Sequence, residues 1–251
     1  MRSYYYDFHL HSCLSPCGDD DSTPNNIAGM AALCELEIIA LTDHNTVKNC
    51  PAFYTACERY GLIPVAGMEL TSSEDVHIVC LFERLEDALA FGEEIDRHRV
   101  LIENRPDIFG EQVITDGEDE VIGIERYLLT NATDLSVEYI PALVERFGGV
   151  CYPAHIDRDM GGIVAILGTV PETPHFRCVE IHDPARISEY TERFSLGDRL
   201  FIVSSDAHYL TDIRDRDSSI ELDCDSDNPA EVRRALFKKL RGGQTDEGII
   251  A

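Results

Sequence analysis

Short apolar runs rich in β-branched and aromatic residues alternate with amphipathic stretches along most of this chain, and this alternation limits its possible folds more than any other feature. The runs with strand character cover residues 4–9, 38–42, 63–68, 77–82, 149–153, 177–182 and 200–205. The helical patterns cover residues 24–35, 51–60, 84–98, 134–147, 184–194 and 229–241. Roughly seven strands interspersed with six helices are typical of a parallel α/β barrel or a doubly wound sheet.

One segment interrupts the alternation. Residues 103–133 contain the acidic turn TDGEDE, and we expect them to form an insertion over one face of the fold. No internal repeat, long linker or low-complexity tract divides the rest of the sequence. We therefore predict a single domain over residues 1–241, followed by a flexible tail over residues 242–251.

The charge and the cysteines narrow the classes of partner and compartment. The chain has 21 Lys and Arg residues and 47 Asp and Glu residues, a formal net charge of −26. A surface that binds nucleic acid should be basic, so we expect no nucleic-acid partner. No apolar run is long enough to cross a membrane, and no membrane association is expected. Nine cysteines without a paired CxxC motif, and an N-terminus without an apolar signal core, predict reduced thiols and a cytoplasmic location.

Titratable side chains gather at the ends of the predicted strands. The stretch YDFHLHS places Asp7, His9 and His11 at alternate positions of the first strand, where they point to the same face. The other strand ends carry His44, Glu69, His77, His155, His182, Asp206 and His208. Catalytic groups of barrel enzymes come from the C-terminal ends of several strands, so we expect these side chains to converge. Imidazoles combined with carboxylates suit Zn²⁺, Mn²⁺ or Fe²⁺.

A series of short motifs carries a resemblance to a known family. The motifs are HxH at 9–11, TDH at 42–44, GMEL with Glu69, a strand-borne His77, AH at 154–155 and SDAH at 205–208. In this order, over roughly residues 4–210, they resemble the PHP (polymerase and histidinol phosphatase) family. The resemblance implies a distorted (β/α)7 barrel and a metal-dependent phosphoesterase with two or three divalent ions (Mn, Zn or Fe).

The resemblance also implies how the ligands divide among the ions. One ion would be held by His9, His11, Glu69 and Asp206, a second by Glu69, His77 and His155, and a third by His44 and His208. In the family, the third ion takes one more ligand from the loop after HxH, here SCLSPCGDDDSTP. Counting forward from His11 reaches Cys17, whereas counting back from the helix start at Pro24 reaches Asp19. We prefer Asp19, the harder ligand, and Cys17 is the alternative.

For the reaction, the resemblance implies hydrolysis of a small-molecule phosphoester, such as a sugar phosphate, a nucleotide or histidinol phosphate, by a hydroxide held between the ions. A small phosphorylated metabolite is therefore the expected partner. The general acid could be His44, Asp206 or His208. Arg158, three residues after His155, is the candidate for binding the substrate phosphate.

A different reaction uses the same types of ligand. HxH with further histidines and an aspartate on a barrel also describes metal-dependent amidohydrolases, which hydrolyse C–N bonds. Those enzymes usually carry a lysine or a pair of histidines after the middle strands, where this chain has Glu69 and no lysine. Phosphoester chemistry is therefore favoured. We expect Asp7 and Asp43 either to orient ligand imidazoles or to make simple structural hydrogen bonds.

Overall fold

The computed structural model describes residues 1–243. Their strands are β1 (Arg2–Leu10), β2 (Ile38–Leu41), β3 (Ile63–Thr71), β4 (His77–Phe82), β5 (Val113–Thr115), β6 (Val121–Ile124), β7 (Gly149–Pro153), β8 (Cys178–Glu180), β9 (Leu200–Ile202) and β10 (Ser219–Leu222). Their helices are α1 (Pro24–Leu33), α2 (Cys50–Tyr60), α3 (Leu85–Ile95), α4 (Pro106–Phe109), α5 (Ile140–Arg146), α6 (Ile163–Leu167), α7 (Ile187–Phe194) and α8 (Pro229–Leu240).

Most of the strands form one curled sheet with the order β10-β1-β2-β3-β4-β7. Strands β1, β2 and β3 run parallel, whereas β10, β4 and β7 pair antiparallel with their neighbours. The mixed α/β class is confirmed, but the sheet is not wholly parallel. Only residues 72–76 connect β3 to β4, and such a short connection cannot make the crossover that a parallel pair needs.

Two further hydrogen bonds draw the ends of the sheet together around the separate parallel pair β8–β9. The backbone N–H of His11 donates to the carbonyl of Ala207 (3.0 Å), which links the end of β1 to the segment after β9. The N–H of Ile156, just after β7, donates to the carbonyl of Glu180 in β8 (2.9 Å). The C-terminal ends of β1, β7, β8 and β9 therefore reach the same rim.

Apolar side chains cover both faces of the central strands. Strands β2 and β3 are buried along their whole length, which is why they read as nearly continuous apolar runs in the sequence. The layer against α8 contains Tyr4, Phe8, Val65, Tyr152 and Phe237. The layer against α1, α2 and α3 contains Ile39, Phe53, Met68, Phe82 and Phe91. This double core holds the strand ends, and hence the rim, in fixed positions.

The elements differ from the predicted ones in places where the sequence pattern is weak. The helix predicted over 134–147 is only Ile140–Arg146, because Pro141 suits the first turn of a helix and so begins it late. The predicted insertion over 103–133 contains α4 and the β5–β6 hairpin, which the sequence does not reveal because β5 has only three residues and β6 is mostly exposed. The single-domain division stays a prediction. Residues 244–251 of the predicted tail lie outside the described residues, and within residues 1–243 no helix is long and apolar enough to cross a membrane.

One buried asparagine fastens the insertion to the loop that follows β1. The Asn49 side-chain amide donates to Ser12 Oγ (3.0 Å) and to the carbonyl of Val113 (3.1 Å). Its carbonyl oxygen accepts the backbone N–H of Thr115 (3.0 Å). Asn49 is fully buried, so these groups have no access to water if the side chain is removed.

We expect Asn49→Ala to lower the free energy of unfolding by about 2–3 kcal/mol, because it leaves buried polar groups without partners. Urea unfolding of the full chain measures the loss. Asn26→Ala makes the same change at an exposed position and should stay within about 0.5 kcal/mol of the parent. Equal effects of the two substitutions would contradict the anchoring role.

Candidate metal centre

Six imidazoles and two carboxylates converge on the rim. They are His9, His11, His44, Glu69, His77, His155, Asp206 and His208. Neighbouring imidazole rings have centroid separations between 4.1 Å, for His11 and His208, and 6.1 Å, for His44 and His208. His11 and Asp206 are 195 positions apart in sequence, yet their side chains are in contact. The structure thus brings these eight strand-end side chains together, and their role as metal ligands stays a prediction.

The carboxylate of Glu69 lies at the middle of the cluster and is buried. Its Oε1 is 2.9 Å from Nδ1 of His77 and 3.0 Å from Nε2 of His155. Its Oε2 is 3.0 Å from Nδ1 of His44. A carboxylate whose two oxygens face different imidazoles has the arrangement required of a ligand that bridges two cations.

The second carboxylate, Asp206, faces the two histidines of the HxH motif. Its Oδ1 is 3.3 Å from Nε2 of His9 and 3.2 Å from Nε2 of His11. The ring of His208 turns back on the same residue, and its Nδ1–H donates to the Asp206 carbonyl (2.9 Å). That hydrogen bond leaves Nε2 of His208 available to a cation or a substrate.

Seven of the eight side chains, all but His155, fall into three groups whose ligand atoms lie within 4.8 Å of one another. The groups are His9, His11, Glu69 and Asp206; His44, Glu69 and His77; and His11, His44 and His208. The first group is the set that the family resemblance implies for one ion. The other two share His44, so the structure places this histidine between the positions implied for the second and third ions.

The loop after β1 supplies the two further candidate ligands, Asp19 and Cys17. Neither belongs to any of the three groups found among the described residues. Asp19 donates its backbone N–H to the carbonyl of His208 (2.9 Å), and its carboxylate accepts the N–H of Asp21 (2.9 Å). Cys17 is exposed. The backbone of Asp19 is thus tied to the segment that carries His208, and its role as a ligand stays a prediction.

Several imidazoles are held by carboxylates and hydroxyls behind them. Nδ1 of His9 lies 2.9 Å from Oε1 of Glu180, which also accepts the backbone N–H of His155 (3.0 Å). Nδ1 of His11 lies 3.1 Å from Oγ of Ser15. In both rings the Nδ1–H donates to this supporting oxygen. Nε2 therefore points into the cluster, where its lone pair can bind an ion.

The two aspartates expected to orient ligands act through the backbone and through serines. The Asp43 carboxylate accepts Ser12 N–H, Ser12 Oγ–H and Ser15 Oγ–H, each at 2.7 Å. The Asp7 carboxylate accepts the backbone N–H groups of His9 (3.2 Å) and Ser205 (3.2 Å). Asp43 therefore fixes Ser15, and through it the tautomer of the HxH motif's second imidazole, while Asp7 joins the two segments that carry the first group.

The backbone is strained where it presents ligands. His155 has φ +26° and Asp206 has φ +54°, values that non-glycine residues rarely adopt and that cluster at functional sites. Gly161 has φ +67°, and its carbonyl accepts the N–H of His77 (2.9 Å). A Cβ at Gly161 would lie 2.5 Å from Cγ of His77, so only glycine leaves room for that ring.

The atoms of the cluster fit divalent cations. Nε2 of His9, Nδ1 of His44 and Oε2 of Glu69 are buried and have no hydrogen-bond partner among the described residues. Buried polar atoms are normally paired, and these three all point into the cluster. Nitrogen and carboxylate oxygen atoms in this number suit zinc, manganese or iron.

The electrostatics of the cluster also call for added positive charge. Burial lowers the pKa of His11 to about 4 and that of His44 well below its ordinary value, so both rings are neutral, the form that binds metals. Burial also lowers the pKa of His9, but the carboxylates of Glu180 and Glu69 outweigh burial and raise it well above its ordinary value. Without a cation, these carboxylates favour a protonated His9 ring, which balances their negative charge. A bound cation would supply that positive charge instead.

Two arginines flank the cluster on its solvent side. Nη1 of Arg158 pairs with the Asp206 carboxylate, and its Nη2 lies 3.0 Å from the ring of His182. Nη2 of Arg214 lies 3.0 Å from the same ring and donates to the His182 carbonyl (3.0 Å). The Arg158 side chain is 39% exposed, so it reaches both the cluster and solvent. His182 therefore lies between two guanidinium groups at the mouth of the site.

Sequence reasoning overlooked Glu180, Ser15 and Gly161. A charged residue in the middle of the apolar run CVEIH was the available indication for Glu180, because a fully buried carboxylate needs a partner. Ser15 and Gly161 lie in loops, and nothing in the local pattern predicts which ring each one touches.

Comparison with known proteins agrees with this geometry. The family described as PHP domain matches residues 7–130, a segment that includes the HxH motif, His44, Glu69 and His77. No curated protein matches the sequence. The ligands at 155, 206 and 208 lie beyond the matched segment and rest on the geometry above.

Solved structures share the fold at low sequence identity. Endonuclease Q from Pyrococcus furiosus superposes with a TM-score of 0.64 at 15% identity, over 94% of this chain and 56% of that one. Endonuclease Q in complex with a 27-mer duplex that has an abasic lesion at the active site gives 0.69 at 15%, over 96% and 57%. A candidate metal-dependent phosphoesterase from Bifidobacterium adolescentis gives 0.55 at 19%, over 92% and 95%. The chain spans little more than half the length of the endonuclease Q chains.

These similarities correct one expectation. The prediction of a small phosphorylated metabolite as partner, with no nucleic acid, is wrong, because a protein of this fold has been solved with duplex DNA as its substrate. The physical reason is that net charge is a sum over the whole surface. A site that holds divalent cations is locally positive whatever that sum, so a charge of −26 does not exclude a polyanionic substrate.

We expect Glu180→Gln to weaken metal binding by about 10- to 100-fold while the fold is retained, because a neutral amide holds the His9 ring less firmly and makes it less basic. Metal content after dialysis against graded manganese measures the affinity. Glu221→Gln, at an exposed position of β10, is the control and should match the parent. Unchanged affinity in Glu180→Gln would contradict the orienting role.

We expect Gly161→Ala to lose metal affinity through displacement of the His77 ring. Gly168→Ala is the matched control, since Gly168 has a similar positive φ (+79°) but no atom within 4 Å of the added Cβ. Both variants should lose about 1–2 kcal/mol of stability from backbone strain, measured by thermal unfolding. Only Gly161→Ala should also lose bound metal, and equal metal content would show that the ring tolerates the methyl group.

Proposed function

Because this chain belongs to the PHP family of metal-dependent hydrolases, we propose that it hydrolyses a phosphoester at the rim cluster. The observation that carries the proposal is the contact of Arg158 with Asp206 of the cluster, with Arg214 against the same His182 ring that Arg158 touches. A guanidinium next to a metal centre is suited to hold the oxygens of a phosphoryl group, because it offers several N–H donors in a planar fork. We also propose that the curled sheet is the distorted (β/α)7 barrel of the family.

The proposed ligands are the eight converging side chains, with Asp19 as the further ligand of a third ion. Divalent ions held there would supply Lewis acidity, neutralising phosphoryl charge and acidifying water. The chain's own contribution is to keep His11 and His44 neutral by burial, and to aim His9 and His11 inwards through Glu180 and Ser15.

The substrate group would be positioned from the solvent side. Arg158 already binds a carboxylate oxygen of Asp206, so an incoming phosphoryl oxygen would meet a guanidinium directed at the cluster. His182 lies against both arginines, and their charges together with burial lower its pKa, so its ring is neutral and can fill the space between them. This arrangement favours a substrate with at least one negatively charged oxygen at the reacting centre.

Among the three candidates for the general acid, exposure favours His208. Its side chain is 23% exposed, whereas the side chains of His44 and Asp206 are 6% and 5% exposed. A proton donor must reach the leaving oxygen of the substrate, and only His208 of these three extends to the mouth. With Nδ1–H held by the Asp206 carbonyl, Nε2 would carry the transferred proton. This role requires a centre of two ions, because a third ion held by His208 would occupy the same nitrogen.

We expect the metal-loaded protein to hydrolyse bis-p-nitrophenyl phosphate, p-nitrophenyl phosphate or an oligonucleotide, and to lose this activity on chelation. His77→Ala should lose bound metal and most activity. Arg158→Ala should keep its metal but lower kcat/KM by about 10- to 100-fold, since a charge-assisted hydrogen bond contributes roughly 1.5–3 kcal/mol. Arg193→Ala, on the exposed face of α7, is the control.

Two outcomes would count against the proposal. Turnover of amide substrates without any turnover of phosphoesters would indicate the amidohydrolase alternative. Equal kinetics for Arg158→Ala and Arg193→Ala would show that the arginine at the mouth does not bind the reacting group.

A further inference from the structure

A second cleft lies at the opposite ends of β8 and β9 from the metal centre. Its volume is about 530 Å³, within the range of small-molecule sites. Arg177 and Arg199 line it from the positions just before the two strands, and Lys238 and Lys239 line it from the last turn of α8. At the other ends of the same strands, Glu180 of β8 supports His9, and the candidate ligands Asp206 and His208 follow β9. The cleft is therefore separate from the metal centre.

The cations of this cleft are unusual for so acidic a chain. The sequence has only three lysines, and two of them, Lys238 and Lys239, are here. The third, Lys48, is paired with Glu125, as is usual where acids outnumber bases by 47 to 21. Within residues 1–243 no hydrogen bond or ion pair engages the side chains of Lys238, Lys239 or Arg177, although acids are abundant. Unpaired like charges held together in one cleft repel one another and favour an anion between them.

Two acids also line the cleft, and they do not neutralise it. Asp198 lies 3.6 Å from Nε2 of His175 and 3.9 Å from Nε of Arg199, so its charge is shared with groups at one side. Asp223 is the other acid. The lining therefore keeps an excess of two positive charges when the four cations are set against both acids.

Backbone carbonyls hold one arginine of the cleft, and the other packs against a glycine turn. Arg199 is 5% exposed, and its guanidinium donates to the carbonyls of Phe176 (3.2 Å) and Pro171 (3.3 Å). Arg177 lies against the glycine turn after α8, where a Cβ at Gly242 would be 2.0 Å from its Nη2. Gly242 (φ +80°) thus serves both the turn and the close approach of the guanidinium.

A purely structural explanation covers only part of this cluster. Lysines in the last turn of a helix are stabilised by its dipole, which accounts for Lys238 and Lys239. It does not account for Arg177 and Arg199, which come from strand ends and converge on the same cleft.

We propose that this cleft binds a phosphate-bearing anion at a site distinct from the metal centre. Guanidinium forks and lysine ammonium groups together are the typical protein partners of phosphate oxygens. The anion could come from a free phosphorylated molecule or from a nucleic-acid backbone, which present the same oxygens. The proposal does not depend on the reaction catalysed at the rim.

Lysine acetylation of the metal-loaded full chain tests the proposal, because Lys48 provides an internal control. At about ten times its dissociation constant, pyrophosphate should slow acetylation of Lys238 and Lys239 by about tenfold and leave Lys48 unchanged, as measured by peptide mass spectrometry. Arg177→Gln should remove this protection. Arg234→Gln, an exposed arginine of α8 that does not line the cleft, should keep it.

A short oligonucleotide in place of pyrophosphate identifies the source of the phosphate. Stronger protection per phosphate by the oligonucleotide would indicate a nucleic-acid backbone, and stronger protection by pyrophosphate a free small molecule. No protection by either, equal slowing of all three lysines, or full protection in Arg177→Gln would overturn the proposal. Because Arg177→Gln should leave phosphoester turnover unchanged, failure here and failure of the proposed reaction are distinguishable.

Discussion

Burial of two carboxylates within a group of imidazoles is the constraint on which the rest of this structure depends. Glu69 and Asp206 are almost fully removed from water, and an isolated buried carboxylate would cost several kcal/mol. Positive charge must therefore accompany them, either as protons on imidazoles or as bound cations. The curled sheet, the strained backbone at Asp206 and the carboxylate of Glu180 all serve to keep the surrounding rings close enough to provide it.

From the sequence, the convergence of the candidate ligands was easier to predict than the architecture that carries them. Strand ends were recognisable from apolar runs, and side chains at strand ends must share a rim, so the convergence of His9, Glu69 and His155 followed from position alone. Strand β4 runs antiparallel to β3 because their connection is too short for a crossover. The general alternation of strands and helices predicted a parallel strand instead. The β5–β6 hairpin was missed because its exposed residues follow no hydrophobic period.

Contacts between distant segments could not be predicted from the sequence, for a different reason. Glu180 supports His9 across 171 positions, and Gly161 makes room for a ring on β4, but neither relation leaves a local pattern. Likewise, a net charge of −26 gives no indication that arginines gather at the mouth of the metal centre, or that arginines and lysines gather in the second cleft. Total charge describes solubility and long-range repulsion, whereas recognition depends on where the few cations are placed.

The contact between His11 and Ala207 has a consequence for how the molecule acquires its ions. Because the first and last candidate ligands are His9 and His208, no fragment shorter than residues 9–208 contains the whole set, and the sheet must curl shut to bring the two ends together. Ion uptake and completion of the tertiary structure are therefore thermodynamically one event, and each stabilises the other. Bound cations would hold the distant segments of the chain together, and their presence would show that the whole fold has formed.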